Sequence, residues 1–280
     1  MTTRASVVAG SFYPRDKAAL LKVLSLYVKP DLDEKDNAIA AICPHAGYIY
    51  SGKTAGKVYS SIRIPNTVIV LSPNHTGIGE PISIDANEKW ETPLGNINVD
   101  TNMVKKIKVL LPEAKLDLKA QAREHALEVH LPFIQYINPS TKIVPITLAG
   151  LSFELIQKTG KILAQIIIEA EDVDEQKPLI IASSDMTHFE SAEIARKKDF
   201  LALEKVSEFD TKGFVNLIEE HNLSICGLYT VATAMEATIA YCIKKSLKPK
   251  AKLIDYTNSG AITGDTNEVV AYAGMILEAI

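Results

Sequence analysis

Three apolar runs in this chain each end in a histidine or an aspartate. "NAIAAIC" (37–43) passes into Pro44-His45, "TVIVL" (67–71) into "SPNHTG" with His75, and "PLIIAS" (178–183) into "SDMTHF" with Asp185 and His188. Unbroken apolar runs of this length are expected of strands covered on both faces. In open α/β sheets, ligands gather beyond the carboxyl ends of the strands. Three such ends, each delivering an imidazole or a carboxylate, predict one shared polar site on a sheet rim. A single histidine past a strand is commonly a loop residue; three strand ends behaving alike need another explanation.

Cys226 opens a helical pattern, "CGLYTVATAMEA". The partial positive charge of a helix N-terminus favours thiolate over thiol. Cys226 therefore reads as a nucleophile or a metal ligand, set against the plainer reading of a small packing residue. Cys43 and Cys242 sit in apolar surroundings and read as buried hydrophobes. "REHALEVHLPF" (123–133) holds Glu124, His125, Glu128 and His130 on an expected helix over 123–134. There Glu124 and Glu128 share a face, as do His125 and Glu128. His125 and His130 would stand about 140° apart and would not chelate one ion together. The H-E-x-x-H spacing of metalloproteases is missing. The segment offers a supporting carboxylate and a substrate-facing histidine, or only a salt-bridged helix start.

"GYIYSGKT" (47–54) matches the G-x-x-x-x-G-K-T phosphate loop, between a strand and a helix. On that reading Lys53 and Thr54 would meet phosphates and Mg²⁺, in a nucleotide hydrolase. Against it, Tyr48-Ile49-Tyr50 is bulky where backbone amides should wrap a phosphate, and no convincing strand ends in an aspartate for Mg²⁺. His45 is also a competing use of the same loop. The alternative is that Ser51 caps a helix whose Gly52 and Gly56 pack closely on the sheet. No nucleotide-binding residue is assigned.

The elements needed to position these groups are legible along the chain. Further strands are expected at 142–148, 252–256 and 269–275. Helices are expected at 17–28, 51–62, 102–111, 153–169, 191–208, 211–221 and 227–245. Strands alternating with helices predict one α/β domain over 1–280, with a largely parallel or mixed central sheet and helices on both faces. The stretches 31–37 and 169–178 read as charged loops, too short for domain linkers. There are 280 residues, 47% hydrophobic and 23% charged, with a net charge of −4. Scattered Lys and Arg argue against nucleic acid as the main partner. Three cysteines form no disulfide framework, which points to a reducing cytoplasm. The N-terminal stretch has no signal-peptide core. The most apolar segment, from Cys226 to Lys245, carries Glu236 and reads as a buried helix, so no membrane span is expected.

The blocks "PHAGYIYSG", "LSPNHTG", "EHALEVHLPF", "SSDMTHF" and "CGLYTV" resemble, in order and spacing, those of the Memo family. The resemblance runs from "AGSFYP" to the terminal "AYAGMIL". That family is similar in fold to the class III extradiol dioxygenases, non-haem iron enzymes that open catechol rings. The resemblance implies a metal pocket at the sheet rim. It places His45 and His75 as the two metal histidines and Cys226 where the dioxygenases have a carboxylate ligand. It places His188 as the acid/base histidine, with Asp185 beside it. Microbial members are linked to radical-SAM proteins, which suggests a pathway partner.

Two functional expectations follow. The first is a metal-dependent redox enzyme in which His45, His75 and Cys226 hold iron, or copper or zinc, and His188 moves a proton. Tyr48, Glu124, His125, Glu128 and His130 are its candidate substrate-facing or supporting residues, and Tyr50 a further pocket tyrosine. The second is a non-catalytic module that binds metal, a small molecule or a peptide in the same cleft. A thiolate in place of a carboxylate supports the metal pocket better than it supports ring cleavage.

Overall fold

The apolar runs become the middle of a sheet. A computed structural model describes residues 2–29, 37–174 and 176–280. Of the two charged stretches, 31–36 and Glu175 lie outside the described residues. The first half of the chain runs β1 (Thr3–Arg4), α1 (Lys17–Tyr27), β2 (Ala38–Cys43), α2 (Tyr48–Ser60), β3 (Thr67–Pro73), β4 (Ile82–Ile84), β5 (Lys89–Thr92), β6 (Gly95–Asn98) and α3 (Thr101–Leu110). The middle runs β7 (Lys115–Leu116), a 3-10 turn (Glu128–His130), α4 (Leu131–Ile137), β8 (Lys142–Leu148), α5 (Phe153–Asp174) and β9 (Leu179–Ser183). The last part runs β10 (His188–Glu190), α6 (Ala192–Ser207), α7 (Thr211–Glu220), α8 (Leu228–Lys245), β11 (Pro249–Asn258), α9 (Gly260–Thr263) and β12 (Val269–Ala279).

Side-chain caps set several helix starts. Asp16, Asp100, Ser191 and Asp210 each accept an amide of the first turn, of Ala19, Met103, Ile194 and Gly213. The nine-stranded sheet has the order β10-β12-β2-β9-β3-β8-β4-β7, with β11 on β12. β2, β9, β3 and β8 are parallel, β12 and β11 are antiparallel to their neighbours, and β4 is antiparallel to β8 but parallel to β7. The architecture is α/β in a single domain, with a mixed sheet flanked by helices. α2 packs on β2, β11 and β12, while α8 packs on β2, β9, β3 and β12 and is itself covered by α5. Every residue of β2 and β9 is buried, which is why these strands show no polar alternation. Each fully buried Ile, Val or Leu there contributes about 1.5–3 kcal/mol.

Some sequence expectations change. β12 and β11 are longer than 269–275 and 252–256, because each pairs the other along most of its length. α5 continues through Asp174, past the expected end at 169. A separate three-stranded sheet, β1-β5-β6, was not foreseen. The helix expected over 123–134 does not form as one piece. Glu124 takes the amides of His125 and Ala126 at 2.8 and 2.9 Å. A side chain that satisfies those donors removes the need for a helical turn. Regular helix begins only at Leu131, with Pro132 in the first turn of α4.

The phosphate-loop reading is also overturned. Gly47 is the N-cap of α2, and Tyr48 through Thr54 are helical. The amides of Tyr50 and Ser51 already bond the Gly47 carbonyl, so no loop of free N–H groups exists to hold a phosphate. Thr54 donates to Asp255 instead. Ser51 does not cap; its hydroxyl donates to the Ala46 carbonyl. Gly52 and Gly56 face α1 rather than the sheet, since a Cβ on Gly56 would lie 2.5 Å from the Tyr27 carbonyl oxygen.

Candidate metal centre

The strand order explains the site. β9 lies between β2 and β3 although it comes last of the three in the chain, so three strand ends open side by side. His45 follows β2, Asp185 follows β9 and His75 follows β3. The irregular segment before the 3-10 turn adds His125. His45, His75 and His125 each offer a ring nitrogen within 4.8 Å of the others. The ring centroids of His45 lie 5.2 Å from His75 and 5.6 Å from His125. Those of His75 and His125 are stacked at 4.8 Å.

Cys226 arrives from the other side of the fold, one residue before the N-cap of α8. Its sulfur lies 3.4 Å from His45 Nε2 and accepts the Asp185 amide at 3.1 Å. Gly227 permits this approach: a Cβ there would sit 2.1 Å from the Ser184 Cβ. Gly227→Ala is therefore expected to destabilise the protein by about 1–3 kcal/mol through overpacking. Chemical denaturation with an unchanged midpoint would count against the close packing.

Hydrogen bonds orient the rings. Glu124 is fully buried and accepts from His75 Nδ1 at 2.9 Å and from the His75 amide at 2.6 Å. A carboxylate only accepts, so a proton sits on Nδ1, and in the neutral ring the Nε2 of His75 carries the lone pair. His45 Nδ1 lies 2.7 Å from the Ser183 hydroxyl, and its amide donates to Asp185 Oδ1 at 2.8 Å.

Burial, reinforced by the neighbouring histidines, holds His45 well below the ordinary imidazole value. The ring is therefore neutral, as a metal ligand must be. Burial also lowers His125, though Glu124 opposes it. Desolvation pulls His75 down, but the bond to Glu124 more than offsets it and leaves His75 raised. Burial pushes the Asp185 carboxyl up to about 6, held back by the His45 amide. Cys226 departs from the helix-terminus expectation: burial and Asp185 push its thiol well above the ordinary value. The helix end does not outweigh them, so a thiolate there needs a cation.

A cleft of about 420 Å³ opens beside the cluster. Phe12, Tyr50, Val270 and Tyr272 supply its apolar walls, and His125, Asp185 and His188 its polar ones. His188 stands in β10, where the register with β12 slips and Phe189 takes φ 60°. Bulges of this kind re-aim neighbouring side chains. The His188 amide donates to Ser224 Oγ, and Nδ1 lies 2.8 Å from the Ser224 carbonyl. A carbonyl only accepts, so Nδ1 carries the proton and Nε2 is left as a base.

The structure thus brings His45, His75, Cys226, Asp185 and His188 to one rim, with Glu124 behind them. His125 belongs with His45 and His75 rather than on a helix face, which helical spacing could not reveal. Tyr48 is turned into the core, its hydroxyl donating to the Val129 carbonyl and its ring packed on Phe133; Tyr50 lines the cleft. Glu128 faces the N-terminal segment, bonded to Arg4 and Tyr13. His130 is buried beneath the site, 2.8 Å from Ser183. Ser183 was not anticipated; its one signal is a hydroxyl at the last position of an apolar strand.

The donor set fits a divalent transition metal. Three imidazoles with a carboxylate supporting one of them match what such ions take up. Among the described residues no helix is long and apolar enough to cross a membrane. The family model described as Memo-like protein matches residues 4–276. A MEMO1 family protein of Aquifex aeolicus is 39% identical over 277 residues, 99% of each chain. One from Archaeoglobus fulgidus is 39% identical over 269 residues, 96% of this chain and 97% of its own. One from Methanosarcina mazei is 36% identical over 279 residues, 99% of this chain and 100% of its own. The crystal structure of an uncharacterized protein from Escherichia coli K12 is similar in fold, with a TM-score of 0.54 and 11% identity. That likeness covers 85% of this chain and 98% of the other.

Proposed function

The chain belongs to the Memo family, and on that premise we propose that it is a mononuclear metal protein with non-haem redox activity toward a small molecule bound in the adjoining cleft. The observation that carries this reading is the meeting of three imidazole nitrogens within 4.8 Å. His45 and His75 would hold the ion through Nε2, with His125 completing a three-imidazole face. Cys226, 3.4 Å from His45 Nε2, is the soft donor beside it. Iron is the first candidate, and copper or zinc suit the same donors. A redox metal would supply electron transfer and an exchangeable position.

The chain supplies the rest. Glu124 orients His75, whose Nε2 carries the lone pair in the neutral ring. Phe12, Tyr50, Val270 and Tyr272 give the cleft apolar walls. His188 accepts a proton at Nε2, because Nδ1–H is committed to the Ser224 carbonyl. Asp185, its carboxyl raised by burial, lines the same cleft as His188. The cleft favours this reading over a closed metal-storage site, which would present no room for a second ligand.

The test is metal content. Protein purified without air and without a nickel column is expected to carry, or take up, about one iron, copper or zinc per chain. Failure to take up any of the three would end the proposal. Oxygen consumption is then screened on catechols and thiols. In whichever assay turns over, His188→Gln is expected to keep its metal and lose at least about 100-fold in rate. A wild-type rate would remove His188 from proton transfer.

A further inference from the structure

Beneath the ligand cluster lies a polar group that the proposed function leaves unused. Ser183 is the last residue of β9 and is fully buried. Its hydroxyl has three neighbours: the Ala126 carbonyl at 2.8 Å, His45 Nδ1 at 2.7 Å and His130 Nε2 at 2.8 Å. A hydroxyl has one proton to give and two lone pairs to receive with. The carbonyl only accepts, so it takes the proton. Both imidazoles must then donate. His130 is well suited to this, because burial holds it down to about 3 and keeps it neutral.

The other side of His45 favours the opposite arrangement. Asp185 Oδ2 lies 3.9 Å from His45 Nε2. A carboxylate there attracts a proton onto Nε2, which would block that nitrogen as a ligand. We propose that Ser183 is a positioning residue that sets the tautomer of His45, holding its proton on Nδ1 and leaving Nε2 bare, with His130 filling the remaining lone pair. The ligand consequence rests on the metal reading above; the tautomer itself does not.

Ser183 thereby joins three segments that are far apart in sequence. It ties the end of β9 to His45, two residues past β2, and to the carbonyl next to His125. The same hydroxyl sets His45 chemically and anchors the segment that presents His125. Glu124 plays a comparable part toward His75.

The experiment reads the tautomer directly in metal-free protein, from the ¹⁵N shifts of the His45 ring. Wild type is expected to show protonated Nδ1 and bare Nε2. Ser183→Ala is expected to move the proton to Nε2, facing Asp185, or to populate both forms. Metal affinity is expected to fall at least about tenfold. Ser183→Thr keeps the hydroxyl and is expected to keep the Nδ1 form. His130→Gln also keeps a donor to Ser183 and serves where the alanine variant folds poorly; it is expected to retain the wild-type tautomer. Nδ1 protonation that persists in Ser183→Ala, or Nε2 protonation in wild type, overturns the assignment. If wild type takes up no metal, the functional reading fails, while the ring shifts still decide the role of Ser183.

Discussion

His75→Ala is expected to lower affinity for a divalent transition metal by more than about 100-fold, beyond the usual loss from a supporting residue. His75 is the cleanest of the three clustered histidines to remove. Its side chain is 34% exposed, against 2% for His45, so its loss opens no sealed cavity. Glu124 keeps the amides of His125 and Ala126 as partners, so no buried carboxylate is stranded. The fold should survive, and the change should appear in binding alone. His45→Ala should lose as much metal, with some loss of stability because the ring is buried. His125→Ala ranks with them if it completes the face. A larger loss in Cys226→Ser than in His125→Ala would move the third place to sulfur. Competition titration against a chelator, with elemental analysis, reads all four variants. A His75→Ala protein that binds metal as wild type does would remove the centre from the account. Metal should also stabilise the wild type by about 2.7 kcal/mol at a free concentration 100 times Kd, and this gain should vanish in His75→Ala.

Glu128→Ala is expected to cost about 3–5 kcal/mol of folding stability, the loss typical of breaking a buried ion pair from one side. The Glu128 carboxylate is fully buried. It accepts from Arg4 Nη1 at 2.6 Å, from the amides of Val7 and Val8, and from the Tyr13 hydroxyl at 2.7 Å. Its removal would take away the carboxylate bonded to the Arg4 guanidinium, which lies buried over the Trp90 ring, 3.9 Å away. Total stabilities are about 5–15 kcal/mol, so this one change consumes a large part. Arg4 also donates to the carbonyls of Gln121 and Glu124. The damage should therefore reach the segment that carries His125 and weaken metal binding as well. Glu128→Gln retains an acceptor and should be milder, which keeps the effect measurable if the alanine variant does not fold. A loss below about 1 kcal/mol in Glu128→Ala would mean that the pair is not structural.

The two histidines of "EHALEVH" show where reading from sequence stops. Helical spacing puts His125 and His130 on different faces; in the fold His125 meets His45 and His75, and His130 meets Ser183. The reason is different, however. Glu124 withdraws two amides from the backbone ladder, and the Ser183 hydroxyl takes the Ala126 carbonyl. No helix forms there, and His125 turns toward His45 and His75. Those bonds span from one residue to 57 along the chain, and a pattern read in windows has no access to the longer ones. The phosphate-loop match failed for a related cause. The spelling of Gly47 to Thr54 is compatible with a loop, but packing of α2 on α1 and the sheet favours helix. Cys226 was legible as a site residue, yet its protonation was not, because desolvation and Asp185 outweigh the helix end.

The amino-acid order alone determined the class of fold, most element positions, and the delivery of His45, His75, Asp185 and His188 past strand ends. These are local consequences of hydrophobic period and chain direction, which the residues carry wherever they fold. Tertiary structure decided which strand ends are neighbours, which nitrogen of each ring is bare, and that His125 joins the cluster while Glu128 leaves it. Those outcomes depend on β9 inserting between β2 and β3, and on single protons shared among groups brought together only by folding. A hydrogen bond has no preferred sequence separation, so its partners become known only when the chain has closed on itself.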